Sequence, residues 1–348
     1  MRFLWRWLRR LALAVLLIAL ILTLPVLRNE TMCRGTPQPQ DHAPIVGQTR
    51  PEERTFTTYP EWHIVHAYED YARVITQADP HDFGYLRAIT GFWSSLCPLT
   101  ELADQHGGFT TQSKMTLYTI GISFTAEMAL KAAYEETLGR LATRLRGPDH
   151  SALDRLSAAQ AADYAGFLQQ TPWYLWDFRR DAQALDDAAG RDFRDRERRL
   201  ALGLEYRAKA AYAGMIAGAV AATGQDDLTL RAIVADITPE ALAAIPGVKV
   251  IQRRPEGIEI ETPRYRALTE ILQRIAAQGG RMVEIAGNDD ILLTVIGPAS
   301  APPGTIFTFP LQGSPEFRHL IVAKVPELSA MLRRIGDSGL RLEHIHDY

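Results

Sequence analysis

From Asp226 onward the apolar residues stop recurring at helical spacing and begin to alternate, and this change of period divides the chain into two kinds of structure. The segments "LTLRAIVADI", "VKVIQ", "GIEIET", "RMVEIAG", "DILLTVIG", "GTIFTFPL", "RHLIVAKV" and "LRLEHIHDY" are short and β-branched, with helical stretches at 238–245, 264–278 and 326–336 between them. The first part reads β-α-β-β-α-β, the order of a ferredoxin-like split βαβ unit; the remaining strands extend that sheet or form a second, partial unit. "LTEILQRIAAQGGRMVEI" resembles "LSAMLRRIGDSGLRLEHI" sixty residues later, although a helix that ends at Gly before a strand has generic features, since Gly supplies the C-cap. Before the switch, 58–225 reads as a helical domain, with helices near 85–105, 112–145, 157–169, 172–187 and 191–223. Its first helix is expected to start at Tyr59, with Pro60 in the first turn and Ile64, Tyr68, Tyr71 and Ile75 on the inner stripe. The fold class is α+β: an N-terminal transmembrane helix, the helical domain 58–225, then a ferredoxin-like antiparallel sheet domain with extra strands at 226–348.

Leu11–Leu27 is an uncharged run, apolar but for Thr23, and its length nearly matches the ~30 Å hydrocarbon layer of a bilayer. Arg2, Arg6, Arg9 and Arg10 precede the run and only Arg28 follows closely, which keeps the N-terminus cytoplasmic and exports the rest. Residues 1–30 are therefore read as an uncleaved single-pass signal anchor in the inner membrane with the bulk periplasmic; a cleaved signal peptide is the rival, but no small-x-small site follows. Residues 31–57, rich in Pro, Gln and charge, read as a spacer. Cys33 and Cys97 are the only cysteines; an oxidising compartment allows them to pair, and a mobile thiol at Cys33 with a buried one at Cys97 is the alternative. A net charge of −3 and no basic patch disfavour nucleic acid as a partner, leaving the membrane and an envelope protein.

Two stretches, "FTAEMALKAAYEE" and "LGLEYRAKAAYAG", carry Glu and then Lys-Ala-Ala-Tyr at the same spacing. On a helix, Glu127, Lys131 and Tyr134 share one line, as do Glu205, Lys209 and Tyr212, and both lines interrupt apolar seams. Only five of the 38 basic residues are lysine, and two of those five occupy the matching positions. "DYARVITQ" and "DYAGFLQQ" each precede one of these helices, so the helical domain reads as two related halves. Packed seam to seam, Glu127, Lys131, Glu205 and Lys209 form a charged quartet with both Tyr hydroxyls nearby. The quartet is either a structural ion-pair network that fixes register or a ligand-binding site.

His63, His66 and Asp70 are expected on the outer face of the first helix of the domain, where three such side chains could ligate a metal; His344 and His346 share one side of the last strand, with Glu343 opposite. An ordinary polar face explains both sets as well. No Gly-rich phosphate loop, Gly-x-Ser-x-Gly or paired Cys-x2-Cys occurs, and no signature calls for a cofactor. At "TYPEWHIVHAYEDYARV", "PHDFGYLRAITGFWSSLC" and "TPWYLWDF" the chain resembles an uncharacterised group of signal-anchored bacterial proteins, a resemblance that implies relatedness over most of the length and no activity. The expected function is a membrane-anchored binding or assembly module of the cell envelope without catalytic activity. The alternative is an envelope enzyme or small-molecule sensor that uses the Glu/Lys/Tyr cluster.

Overall fold

A computed structural model describes residues 2–39, 42–223 and 228–348. The helices are α1 (Arg2–Met32), α2 (Arg54–Gln77), α3 (Tyr85–Gln105), α4 (Thr111–Tyr134), α5 (Arg140–Arg146), α6 (Ala152–Leu168), α7 (Phe178–Ala188), α8 (Phe193–Thr223), α9 (Pro239–Ala243), α10 (Arg266–Ala277) and α11 (Val325–Asp337). The strands are β1 (Thr229–Ala235), β2 (Lys249–Arg254), β3 (Gly257–Pro263), β4 (Arg281–Ile285), β5 (Asp290–Gly297), β6 (Thr305–Pro310), β7 (Phe317–Lys324) and β8 (Arg341–His346).

Among the described residues, α1 is the one helix long and apolar enough to cross a membrane, and its leucines from Leu8 to Leu20 project free of the rest of the fold. Its last turns behave differently. Leu22, Pro25 and Val26 are half-buried, Val26 packs on the core of the helical unit, and α1 touches α3 and α4. Asn29 Nδ2 donates to Thr100 Oγ1 and Tyr118 Oη at 3.1 Å each, Lys114 Nζ lies 2.9 Å from Glu30, and Cys33 is disulfide-bonded to Cys97.

The stretch expected as a spacer is docked rather than free. Gly35 N donates to Asp104, Gln38 N to the Gln105 carbonyl, Ile45 N and Val46 N to the Glu284 carboxylate, and Arg50 N to the Ala286 carbonyl. A segment without periodicity of its own still carries backbone donors, and these find acceptors on α3 and on the sheet. Helix α2 likewise begins at Arg54, before the expected start at Tyr59, because Thr55 and Phe56 are fully buried; Pro60 lies inside the helix.

Helices α2 to α8 form the helical unit. Its apolar core joins α2, α3, α4 and α6 through Phe56, Tyr68, Phe92, Leu96, Phe124, Met128 and Tyr164, and extends onto Leu292 of β5 and Leu320 of β7. Thr110 caps α4 by accepting from Ser113 N at 3.1 Å, and Ser151 with Asp154 makes a reciprocal capping box on α6. Between α4 and α5 the helix widens into a π turn at Glu135–Gly139. A Cβ on Gly139 would stand 2.2 Å from Glu135 Oε2, so glycine here lets that carboxylate fold back across the turn.

The eight strands make two antiparallel sheets, ordered β2-β3-β1-β4 and β6-β7-β5-β8, so that numbered from its own first strand each sheet runs second, third, first, fourth. Helices α10 and α11 touch one another and lie between the sheets: α10 touches β3 and β8, and α11 touches β4, β7 and β8. Two hydroxyls stitch the halves reciprocally. Thr269 of α10 accepts from Ile345 N of β8, and Ser329 of α11 accepts from Met282 N of β4. Strand β5 is buried along its whole length, with Ile291, Leu293 and Val295 toward the helices between the sheets and Leu292 toward the helical unit. A strand covered on both faces becomes a continuous apolar run, as "DILLTVIG" is.

Candidate functional site

Helices α4 and α8 run antiparallel, because Lys131 pairs with Glu205 (3.0 Å) while Glu127, one turn earlier, pairs with Lys209 (2.7 Å), one turn later. The helices do not pack backbone to backbone; their long side chains span the gap. Lys209 also lies 3.0 Å from Glu205 and donates to Tyr68 Oη at 3.3 Å, and the Tyr68 hydroxyl donates to Glu127. Each ammonium sits over a tyrosine of the "DYA" stretch that precedes its own helix: Lys131 is 4.6 Å from the Tyr71 ring and Lys209 is 5.7 Å from the Tyr164 ring. Helices α2 and α6, which carry those rings, pack against each other.

The structure thus brings Glu127, Lys131, Glu205 and Lys209 together, and it adds Tyr68, Tyr71 and Tyr164. It does not bring in the two motif tyrosines. Tyr134 donates instead to Glu197, drawn there by a buried network in which Arg198 holds Glu135 (2.8 Å) and Glu197 (2.7 Å) while Arg194 holds Asp154 (2.9 Å) and Glu197 (2.8 Å). Tyr212 is 41% exposed and stands 5.3 Å from the Trp173 ring. Tyr134 thus reaches α8 as well, but about two turns from Glu205, at Glu197, whereas Tyr212 turns to the Trp173 ring.

The quartet is the floor of a groove of about 670 Å³ that opens to the outside. Its walls are Leu130, Leu200 and Leu204, exposed by 73%, 74% and 68%, with Tyr134, Ala208 and Tyr212. The seam continues past it through Leu138 and Leu141, which are also exposed rather than buried between helices. Burial alone would raise the Glu205 carboxyl, but the ammoniums of Lys131 and Lys209 overcome it and hold that group down at about 2. Burial would likewise lower Lys209, and the carboxylate of Glu127, with Tyr68 and Glu205, outweighs it and keeps the ammonium well above the usual lysine range. Glu205 and Lys209 are therefore both charged at neutral pH. An amine held as ammonium and a carboxylate of such low basicity attract charged partners and make poor proton acceptors.

The histidine sets require a correction. His63, His66 and Asp70 are 1%, 2% and 1% exposed, on an arc of α2 expected to meet water. The second sheet covers that arc: across β5, Leu292 pairs with His346 and Thr294 with His344, so both imidazoles reach toward α2. A register shift between Thr294 and Val295 sends Glu343 the same way rather than opposite, and it meets Arg318 (2.6 Å) and His66 Nε2 (3.4 Å). The His344 ring lies 3.7 Å from the Trp62 ring and 4.9 Å from His346, which packs edge-on against Tyr59.

Asp70 does not join them. It accepts from Arg73 Nη1 (2.6 Å) and Gln312 N (3.0 Å), and His63 Nε2 donates to the Ala88 carbonyl (2.9 Å). Among the described residues, two triads have ligand spacing: His66, Glu69 and Glu343, and Glu52, His106 and Asp290. Both are already balanced by cations, Arg318 on Glu343 and Lys324 on Asp290 (2.7 Å). Burial first, then nearby positive groups, pushes His63 and His344 down to about 3, and His346 falls well below its usual range for the same reason.

Comparison with family models, with curated proteins and with solved structures gave no match.

Proposed function

We propose that the chain is a membrane-anchored binding module of the cell envelope that takes a small ligand in the groove between α4 and α8 and performs no chemistry on it. The observation that carries this reading is the open groove with apolar walls and an ionised floor, since a network serving only to fix helix register has no use for exposed leucines on both rims. The charge states of Lys209 and Glu205 argue against the enzyme alternative, because neither group is poised to exchange a proton near neutral pH. The four arginines before the apolar run favour a cytoplasmic N-terminus and a periplasmic bulk, and the Cys33–Cys97 disulfide suits an oxidising compartment.

Each sheet, with its crossovers, is read as a ferredoxin-like unit, the second with a loop in place of the first crossover helix. Support comes from the common strand order and from the matched roles of Thr269 and Ser329. The helical unit is read as a second duplication, in which α2 with α4 corresponds to α6 with α8, supported by the crossed Lys–Glu pairs and their tyrosine partners.

The test is native mass spectrometry of the full chain released from its membrane. A retained small-molecule adduct is expected, and it is lost in Leu130→Glu and Leu204→Glu, whose exposed positions leave the melting temperature within a few degrees. No adduct, or an adduct indifferent to both variants, refutes the reading.

A further inference from the structure

Three features around α4 extend the groove's apolar surface to the anchor. On one flank, Lys114 and Tyr118 contact Glu30 of α1; on the other, Glu127 and Lys131 contact α8. The face between them carries Met115 (63% exposed), Thr119, Leu130 and Ala133, and from Met115 to Tyr134 the only charges are Glu127 and Lys131, both turned into the groove. Finally, α1 meets α3 and α4 through Asn29 and Glu30, immediately past the apolar run Leu11–Leu27, while Val26, inside that run, packs on the helical core. With Val26 at the edge of the hydrocarbon, the face of α4 that adjoins α1 lies at the bilayer boundary, and an uncharged helix face is what that depth tolerates.

We infer that the groove is loaded from the bilayer and holds a zwitterionic phospholipid, with an acyl chain between the leucine rims and the headgroup on the ionised floor. This rests on the binding function proposed above. The headgroup follows from the charges. The floor has two ammoniums and two carboxylates, so a head of net charge zero enters without leaving an unbalanced charge in a poorly solvated site, which a net anion would do. Donors and acceptors remain on both sides. Lys131 hydrogen-bonds the two Glu205 oxygens and also stands 4.6 Å from the Tyr71 ring, so a phosphate oxygen takes its remaining N–H in exchange for that weaker contact. Glu127, whose side chain is 30% exposed, faces solvent as an acceptor for the head's ammonium.

The test uses the full chain in lipid nanodiscs. In the first arm, Met115→Cys, Leu130→Cys and Arg334→Cys each carry a bimane label, which the disulfide-bonded native cysteines do not take up, and the lipid carries a nitroxide near the head of the acyl chain. Quenching several-fold stronger at 115 and 130 than at 334, on α11, is expected; equal quenching at all three overturns the inference. In the second arm, nanodiscs contain a diazirine-tailed phosphatidylethanolamine or a diazirine-tailed phosphatidylglycerol. Photolabelling of the α4 and α8 peptides by the former, several-fold above the latter and lost in Lys131→Met, is expected. Should the adduct of native mass spectrometry be a water-soluble molecule, with no quenching at 115 or 130, the lipid is wrong while the binding function stands. Should no adduct appear, that function falls as well.

Discussion

His346→Leu separates the cost of burying an imidazole from anything the ring contributes. The His346 side chain is fully buried, and neither ring nitrogen has a hydrogen-bond partner among the described residues. His63, His344 and His346 all stay neutral in the fold down to pH values well below those at which an unfolded histidine titrates. Between about pH 7.5 and 5.5 the unfolded chain therefore binds more protons at these sites than the native one, and stability falls as the pH falls. For an unfolded value near 6.5, each such histidine withdraws about 1.4 kcal/mol over this interval, and the three together about 4 kcal/mol. The result is insensitive to how far below pH 5.5 each folded value lies. Around the ring stand Tyr59, Trp62, His344, His66 and Arg318; Asp70, raised by burial, and His106, raised by its bond to Glu52, oppose the trend because they favour the fold on acidification. The depressed carboxylates Glu205 and Glu343 titrate below this window. Urea denaturation of the full chain in detergent, followed by tryptophan fluorescence at both pH values, is expected to show a loss in His346→Leu about 1.4 kcal/mol smaller than in wild type, with stability at pH 7.5 equal or higher. A variant that keeps the whole wild-type loss, or that falls by several kcal/mol at pH 7.5, refutes the reasoning.

Lys209→Met leaves Glu127 and Glu205 facing each other across the groove and is expected to cost about 2–3 kcal/mol, reduced from the value for a sealed pair by the partial exposure of the site. Lys131→Met, after which Lys209 still holds Glu205, costs about 1 kcal/mol, so equal losses in the same denaturation assay would contradict the geometry. Gly91→Ala sets a Cβ 2.3 Å from the Phe309 ring and 2.8 Å from His63 Cε1; a loss of about 1–3 kcal/mol is expected, and a neutral result would mean that the α3 to β6 contact yields easily. Replacing Cys33 and Cys97 by serine opens a closure of 64 residues and lowers stability by up to about 4 kcal/mol, read as a drop in melting temperature; an unchanged melt would show that the other α1 contacts suffice.

Positions where one period governs both a residue's neighbours along the chain and its burial were legible in the sequence. Helix α3 has the expected bounds, 85–105, because its apolar stripe faces one core, and the crossed pairs of α4 and α8 follow from i,i+4 spacing alone. Tyr68 was assigned to an inner stripe but not to the quartet, since its hydroxyl reaches the floor only because α2 packs against α6. Tyr71 and Tyr164 stood in the repeated "DYA" stretches, and treating that repeat and the Glu-Lys-Tyr repeat as one unit would have found the stacked ammoniums.

The polar arc of α2 was misread for a physical reason that also bears on the groove. Amphipathic reading assumes that a polar face meets water, and a helix between two layers violates it: His63, His66 and Asp70 face a second sheet whose own inward residues are Thr294, His344 and His346, so both surfaces look solvated until they are joined. Asp70 and Arg318 pass the same test of polarity as any surface pair, yet the sheet buries them. The groove is the converse case. Leu130, Leu200 and Leu204 flank the charged lines of α4 and α8, and because those helices meet through the long side chains of the quartet the leucines are left uncovered. In both places hydrophobicity along one element reports what that element can bury, while the partner element decides what is buried; leucines kept open over an ionised floor therefore mark where a partner from outside the chain completes the surface.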